Sequence, residues 1–397
     1  MEYKLAHRMD RMQASAVREI LKVTQRPEII SFAGGLPAPE LFPVDEIDKV
    51  AHEVLRDEGH KVLQYATTEG RPTLRAKIAA RMNRKYQSHL QAENILVTTG
   101  SQQNLALAGK IFLDKGDVVL MESPTYLAAI NAFNAYEPEF MEMPTDGEGV
   151  VAEGLEEILA KTPNVKLIYV IPDFQNPTGI CWTMERRQKF MKVVNKYNIP
   201  VLEDNPYGEL RYEGETLPSL MSMDTKGLVM GMGTFSKTFC PGLRLGWLAA
   251  DPVVLKEFVK CKQSADLHSS AFDQAIVDRY MDEYSLDDHV KEINALYKHR
   301  RDLLLSSMEQ YFTDGTTWTH PMGGLFLWLT FPEGVSARKV FDKCIEKNVA
   351  GVLGEFFYPN AKNDRHMRIN YSNMPDERIV EGVKRMAEAL KEVAAGK

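Results

Sequence analysis

The chain has 397 residues, of which 44% are hydrophobic and 26% are charged, and its formal net charge at pH 7 is −7. This length is more than one compact core usually holds, so two domains are expected, and the composition is ordinary for a soluble globular enzyme. The acidic balance and the lack of a basic block argue against nucleic-acid binding, and no apolar run approaches the roughly 18 residues of a membrane span.

The cysteines and the N-terminus indicate the compartment. Four cysteines are scattered without a CxxC spacing: Cys181, Cys240, Cys261 and Cys344. This pattern favours free thiols over disulfides or a zinc site. The first ten residues are charged and lack the apolar core of a signal peptide. We therefore expect a cytoplasmic protein without a bound metal.

Residues 1–44 combine a helix with an irregular stretch. One face of residues 14–25 is apolar and the other carries charged and polar side chains, which predicts a short amphipathic helix. Residues 29–43 are rich in glycine and proline yet apolar, so no regular element is expected there. Such a stretch should lie against another part of the protein.

Residues 45–290 are predicted to form an α/β domain. Helices are expected over residues 45–55 and after residue 70, and from residue 94 short apolar runs alternate with amphipathic ones. Strands are predicted at residues 95–99, 118–121, 165–171, 200–204, 228–232 and 245–250. This alternation is typical of a mainly parallel sheet with helices on both faces.

The rest of the chain predicts a small α+β domain over residues 291–397. A long helical stretch over residues about 252–312 leads into it. Strands at 324–329, 349–353 and 366–371, a helix at 336–347 and a final helix from Pro375 follow. A unit of about a hundred residues is a normal size for a second domain.

One lysine stands on a loop between two of the predicted strands. Lys237 lies among hydroxyls and glycines, and Arg244 follows it seven residues later. Burial between strands would lower the pKa of this lysine and leave a neutral, nucleophilic amine. Most lysines on loops are solvated, so the stretch alone leaves both interpretations open.

Polar side chains stand where several predicted strands end, which is the edge where open parallel sheets bind ligands. The stretch around Ser101 begins a helix and is equally well an anion site or a plain N-cap. Asn176 taken alone indicates an ordinary turn. Asp204 is an N-cap or a buried carboxylate that needs a cationic partner, and Tyr126 is a core residue or a stacking ring.

Together these residues supply what pyridoxal 5′-phosphate (PLP) requires: an amine, a phosphate cradle, a negative partner for the ring nitrogen and a stacking ring. The chain resembles fold type I PLP-dependent aminotransferases of class I/II over essentially its whole length, above all the branch with 2-aminoadipate aminotransferase and kynurenine aminotransferase II. The motifs that carry the resemblance are Ser31–Pro37, Leu63–Tyr65, Thr99–Gln103, Ser123–Tyr126, Gln175–Gly179, Glu203-Asp204 with Tyr207, Ser236-Lys237 through Arg244, and His366–Arg368.

The resemblance implies a fold and a reaction. The fold would be α/β, with a large domain on a mainly parallel seven-stranded sheet and a small α+β domain, and residues 1–44 would cover the substrate and pack with the small domain. The reaction would move the amino group of an L-amino acid to a 2-oxo acid such as 2-oxoglutarate. Candidate donors are 2-aminoadipate, glutamate, aromatic and branched-chain amino acids.

The resemblance also implies roles around the cofactor. Lys237 would form the Schiff base and move the proton, Asp204 would keep the ring nitrogen protonated, and Tyr126 would stack on the ring. Asn176 and Tyr207 would bond the ring oxygen O3′. The phosphate would be held by Gly100, Ser101, Gln102, Thr234, Ser236 and Arg244. Thr234 stands where relatives commonly have serine, which keeps the hydroxyl.

The substrate roles are implied in the same way. Arg368 would clamp the α-carboxylate, with Asn176 and Gly35 beside it, although a strand-end salt bridge is the alternative. Arg18 would pair with a distal carboxylate or swing out to admit an apolar side chain, and a solvated helix arginine is the alternative. Tyr65 would reach the substrate and the cofactor phosphate of the neighbouring subunit, which implies a homodimer with shared sites.

Two further expectations concern two peptide bonds before proline and the position of one histidine. The bonds Ser123-Pro124 and Asn176-Pro177 are expected to be cis by the resemblance, although sequence alone favours trans. His268 could line the site, but a structural role is favoured.

Two other functions are considered on the same fold. A PLP-dependent β-lyase shares the cofactor motifs, and release of pyruvate and ammonia from a cysteine conjugate would distinguish it. An aminotransferase-like sensor domain of a transcription regulator is disfavoured, because no basic DNA-binding module precedes residue 14 in this sequence.

Overall fold

The computed structural model describes residues 3–12, 26–312, 315–360 and 365–396. The predicted helix over residues 14–25, with Arg18, lies outside these residues. The α-helices of the described part are α1 (Val44–Val62), α2 (Pro72–Tyr86), α3 (Ser101–Phe112), α4 (Leu127–Asn134), α5 (Ala152–Lys161), α6 (Met184–Tyr197), α7 (Pro252–Ala265), α8 (Ala271–Glu283), α9 (Leu286–Tyr311), α10 (Ala337–Glu346) and α11 (Asp376–Ala394). None of these helices is both long enough and apolar enough to span a membrane.

The strands form two larger sheets and two small ones. They are β1 (Ile30–Ser31), β2 (Ile95–Thr98), β3 (Val118–Glu122), β4 (Glu139–Met143), β5 (Thr145–Asp146), β6 (Gly149–Val150), β7 (Val165–Val170), β8 (Val201–Asp204), β9 (Val229–Thr234), β10 (Gly246–Ala249), β11 (Thr317–Trp318), β12 (Phe326–Thr330), β13 (Val349–Ala350), β14 (Val352–Leu353) and β15 (His366–Asn370).

The central sheet has seven strands in the order β2-β10-β9-β8-β7-β3-β4. The pairs from β9 through β4 are parallel, and β10 is antiparallel to both of its neighbours. Strand β3 is buried along its whole length, as strands covered on both faces are. Its alternate side chains enter different cores, since Val118 and Leu120 pack on one face and Val119 and Met121 on the other. The predicted α/β fold is confirmed.

The directions of the strands bring several loops together at one edge of the central sheet. Strands β3, β7, β8 and β9 are parallel, so their carboxyl ends lie at one edge of the sheet. Strand β10 begins at that same edge, because Gly246 lies opposite Thr98 on one side and Thr234 on the other. The residues before β10 and the residues after β2 are therefore brought together.

A second, antiparallel sheet has the order β11-β12-β15-β14. It shares a core with α10 and α11, and Ile30 and Phe32 of the N-terminal stretch are buried in that core. Our expectation that residues 29–43 hold no regular element is wrong for Ile30–Ser31, which pairs in parallel with Val349–Ala350. This short pairing forms because the partner strand is buried and the side chain of Ile30 enters the same core.

Two helix predictions need correction. The long helical stretch over residues 252–312 consists of α7, α8 and α9, because the chain breaks at Leu267, which has a left-handed φ of 66°. Ser270 and Ser285 cap the two helices that follow. The helix predicted over residues 45–55 continues to Val62. We also predicted no element for residues 135–164, which contain β4, β5, β6 and α5.

Candidate active site

A cavity of about 300 Å³ lies at the carboxyl edge of the central sheet. The predicted site residues that line it are Gly35, Ser101, Gln102, Tyr126, Asn176, Asp204, Tyr207, Thr234, Ser236, Lys237, Arg244 and Arg368. Leu127, Ala128, Ile171, Pro206, Pro241 and Phe326 complete the lining, and sequence reasoning did not single them out. The structure thus brings together residues that are up to 333 positions apart in the chain.

The start of α3 and the loop before β10 form a cradle of hydrogen-bond donors. The first N–H groups of a helix have no acceptor within the helix, so those at Ser101 and Gln102 are available to an anion. Gly100 caps this helix with a φ of 72°, a left-handed conformation that favours glycine. A Cβ there would also meet the guanidinium of Arg244 and shift that side chain.

Two hydroxyls complete this cradle. Thr234 Oγ1 donates to Ser236 Oγ at 2.9 Å, and Arg244 Nη1 donates to the same Ser236 oxygen at 3.4 Å. Positive charge, hydroxyls and helix N–H groups therefore converge at one end of the cavity. This donor set suits a phosphate group.

The carboxyl group of Asp204 lies at the end of β8 and is 2% exposed. Tyr169 donates a hydrogen bond from its hydroxyl to Oδ2 at 2.6 Å, whereas Oδ1 is buried without a hydrogen-bond partner among the described residues. Burial raises the pKa of Asp204 to about 7, and the bond from Tyr169 opposes this rise. A buried carboxylate oxygen without a donor is costly, and a protonated ring nitrogen would satisfy it.

The amine of Lys237 points into the same cavity. Its Nζ donates to the carbonyl oxygen of Gly35 at 2.7 Å. Burial, together with the smaller effect of the nearby cations Arg368 and Arg244, lowers the pKa of Lys237 to about 8. A substantial neutral fraction near neutral pH is the property that a Schiff-base lysine needs.

Arg368 comes from β15 of the small sheet and is 3% exposed. Its Nη1 donates to Asn176 Oδ1 at 2.8 Å, its Nη2 donates to the carbonyl oxygen of Ala33 at 2.7 Å, and its Nε has no partner in the part of the chain that the structure describes. The guanidinium lies over the ring of Phe326 at 4.1 Å. Burial lowers the pKa of Arg368 to about 10. Neutral acceptors leave its charge free for a ligand carboxylate.

Three further predicted residues lie near the guanidinium of Arg368, namely Tyr126, Asn176 and Tyr207. Tyr126 precedes α4, and burial together with the charge of Asp204 raises its pKa. Asn176 Nδ2 donates to the hydroxyl of Tyr207 at 3.4 Å.

The bonds Ser123-Pro124 and Asn176-Pro177 are both cis. Sequence reasoning missed Tyr169, although a tyrosine on a fully buried strand needs a hydrogen-bond partner, which is a usable signal.

Tyr65 does not line the cavity of its own chain. Its side chain is 80% exposed, and its ring meets the ring of His268 edge to face at 6.0 Å. His268 accepts a hydrogen bond from the backbone N–H of Ala66 at 3.2 Å, so it supports the loop that carries Tyr65. This agrees with the structural role expected for the histidine.

The residues of the cavity fit PLP as the sequence resemblance implies. The free Oδ1 of Asp204 matches a protonated ring nitrogen, the cradle at Ser101 matches a phosphate, and the amine of Lys237 matches a carbonyl carbon. When bound, PLP supplies an electron sink for chemistry at the α-carbon of an amino acid.

Comparisons with known proteins agree. A sequence model of the family described as aminotransferase class I and II matches residues 36–386. The aromatic-amino-acid aminotransferase 1 of Thermococcus litoralis is 43% identical over 96% of this chain and 92% of its own length, and the 2-aminoadipate transaminase of Thermus thermophilus is 39% identical over 97% and 96%. The crystal structure of LysN, an alpha-aminoadipate aminotransferase from Thermus thermophilus complexed with N-(5'-phosphopyridoxyl)-L-leucine, has a TM-score of 0.93 at 37% identity, covering 99% of this chain and 98% of that one.

The raised pKa of Asp204 predicts a pH effect on the stability of the cofactor-free protein. Its folded pKa of about 7 exceeds the ordinary 3.8, so the neutral acid stabilises the fold below pH 3.8 and this contribution is lost as the pH rises through 7. Asp204→Asn stays neutral and should be more stable than wild type at pH 8, by up to roughly 4 kcal/mol. Thermal unfolding at pH 5 and pH 8 measures this, and the gap should widen at pH 8. An equal gap at both values, or the same widening in the exposed control Asp48→Asn, would contradict it.

Proposed function

The chain belongs to the aminotransferase class I and II family and catalyses PLP-dependent transamination of amino acids, and we propose that its donors are aromatic and other large apolar L-amino acids and its acceptor is 2-oxoglutarate. One observation carries the donor class. Each cation that lines the described cavity has a role proposed below, and the remaining lining is apolar, with Leu127, Pro241 and Phe326. An apolar side chain gains from such a surface, whereas a second carboxylate meets no further cation among the described residues that line the cavity.

Arg18 is the residue that we propose for the acceptor. It lies outside the described residues, so its role rests on the resemblance stated from the sequence. An arginine there would pair with the distal carboxylate of 2-oxoglutarate and would swing aside for an apolar donor.

We propose that each cavity residue has its own role in the reaction and that its functional group determines this role. Lys237 would hold the cofactor covalently and, once released, would carry the proton from the α-carbon of the substrate. Asp204 Oδ1 would hold the proton on the ring nitrogen, and Tyr126 would lie against the ring. Asn176 and Tyr207 would bond the ring oxygen, and Arg368 would bind the α-carboxylate. Supporting this division are the lowered pKa of Lys237 and the unpaired polar atoms of Asp204 and Arg368.

The proposal also includes the residues that would bind the phosphate and the stretch that would cover the substrate. Gly100, Ser101, Gln102, Thr234, Ser236 and Arg244 would hold the phosphate. The stretch around Gly35 would cover the substrate and exclude water, since Ser372 Oγ donates to the carbonyl oxygen of Leu36 at 2.7 Å and Asn373 Nδ2 donates to that of Pro37 at 3.1 Å. These bonds fix the stretch beside Lys237.

We propose a homodimer in which Tyr65 completes the site of the neighbouring subunit. Its exposed ring, held by His268 and remote from its own cavity, supports this arrangement. An exposed aromatic on an ordered loop is typical of an interface.

The division into residues 1–44, 45–290 and 291–397 and a cytoplasmic location also stay proposals. The seven-stranded sheet uses strands between residues 95 and 249, the four-stranded sheet uses strands between 317 and 370, and α9 runs across the boundary at residue 290. The four cysteines are free thiols, which suits a reducing compartment. Limited proteolysis would test the boundaries, and cell fractionation would test the location.

Lys237→Ala should abolish the visible absorbance of the covalently bound cofactor and nearly all turnover, because Lys237 is the one lysine among the described residues that line the cavity. Absorbance spectra of the PLP-loaded protein and a coupled assay with 2-oxoglutarate measure both. The exposed lysine of α7 gives a matched control, and Lys256→Ala should keep both properties. Unchanged absorbance and activity in Lys237→Ala would overturn the assignment.

A donor panel tests the substrate proposal. Wild type should prefer aromatic and large apolar donors, and Arg18→Ala should lose about tenfold in kcat/KM for 2-oxoglutarate and for dicarboxylic donors while it keeps apolar donors. The exposed Arg26→Ala is the control. If dicarboxylic substrates lose no more than apolar ones, the role of Arg18 is wrong.

The shared site predicts complementation between inactive subunits. Tyr65→Ala should form a dimer of twice 45.0 kDa with weak activity. Refolding it together with Lys237→Ala creates hybrids with one intact site, so activity should recover to roughly a quarter of wild type. Light scattering measures the mass. No recovery in a mixture that forms hybrids would show that Tyr65 serves its own subunit or neither.

A further inference from the structure

Tyr169 is a buried group that the roles above leave unused. It lies on β7, is fully buried and meets the ring of Phe133 edge to face at 6.0 Å. The register of the sheet places it opposite Leu202 of β8. Side chains alternate between faces, so Asp204, two residues after Leu202, lies on the same face as Tyr169. The central sheet thus brings a phenol to the side of the functional carboxylate.

The bond between these groups selects one oxygen of the carboxylate. The hydroxyl of Tyr169 donates to Oδ2 at 2.6 Å, and Oδ1 has no partner within residues 3–12, 26–312, 315–360 and 365–396. A short bond to a carboxylate is charge-assisted and directional, so it opposes rotation of the carboxyl group. The free oxygen is therefore held toward the cavity, which Asp204 lines.

The surroundings of Asp204 give this bond a chemical consequence. The tyrosines that face it are Tyr169 from β7, Tyr126 from the start of α4 and Tyr207 from the loop after β8. Asp204 forms no salt bridge with the described residues, and the cavity cations Lys237, Arg244 and Arg368 bond to other groups. Tyr169 is accordingly the donor that favours the anion of Asp204 against the cost of burial.

We propose that Tyr169 is a positioning residue that fixes the carboxylate of Asp204 and keeps the shared proton on the ring nitrogen of PLP. The inference rests on the proposed role of Asp204 and deepens it. Without the phenol, the anion loses its hydrogen bond and the proton moves from the ring nitrogen to the carboxylate. A ring with an unprotonated nitrogen is a weaker electron sink, so turnover falls.

The test compares Tyr169→Phe with wild type, both loaded with PLP labelled with ¹⁵N in the ring. The variant keeps the apolar ring in its core and loses only the donor. The ¹⁵N resonance should move toward the value of unprotonated pyridine, and kcat should fall roughly tenfold with little change in KM, as loss of one charged hydrogen bond implies. Tyr371→Phe is the control, because that buried phenol donates to the carbonyl oxygen of Gly323 and does not touch Asp204.

The outcomes separate this inference from the proposed function. A wild-type ¹⁵N resonance in the variant, or an equal shift in Tyr371→Phe, would overturn the role of Tyr169 while the function stands. Wild type that binds no PLP would overturn the function itself. If Tyr169→Phe does not fold, the wild type still offers a test. Its bonded phenol proton should give a low-field ¹H resonance that Asp204→Ala abolishes, and a spectrum unaffected by that change would also overturn the inference.

Discussion

The active cavity depends on burying charged groups without neutralising them. Asp204 bonds a phenol, Arg368 bonds an amide oxygen and a carbonyl oxygen, and Lys237 bonds a carbonyl oxygen. Neutral partners orient these groups but leave their charge to a ligand. Unpaired buried charge costs stability, so the surrounding scaffold has to hold each group in place. A cationic group beside Asp204 and a carboxylate beside Arg368 would offset this cost.

The scaffold holds these groups through connections between distant segments. Asp204 and Tyr169 stand on neighbouring parallel strands, and the antiparallel β10 brings Arg244 to the start of α3. Arg368 belongs to the small sheet yet bonds Asn176 beside the central sheet and Ala33 in the N-terminal stretch. One arginine thus joins three parts of the chain, and any shift between the two sheets changes the position of its charge.

Much of the fold and site follows from local patterns, and the failures have physical causes. The strands around Lys237 and Asp204 were predictable because apolar runs flanked by turn residues report burial directly. Phe326 was missed because a phenylalanine on a buried strand resembles core in any sequence, whereas the hydroxyl of Tyr169 signals a hydrogen-bond partner but does not identify it. The three helices over residues 252–312 were predicted as one helical stretch. The breaks between them consist of serine caps and one left-handed leucine, which interrupt the spacing of the apolar residues only briefly.

By itself the sequence determined the α/β class, the resemblance to PLP-dependent aminotransferases and the residues that we propose for the cofactor, because these depend on residue types in a fixed order along the chain. Tertiary structure alone decided which oxygen of Asp204 stays free, how far the pKa of Lys237 falls and where the ring of Tyr65 faces. Those properties depend on burial and on distances between groups far apart in the chain, and one linear pattern fits many such distances.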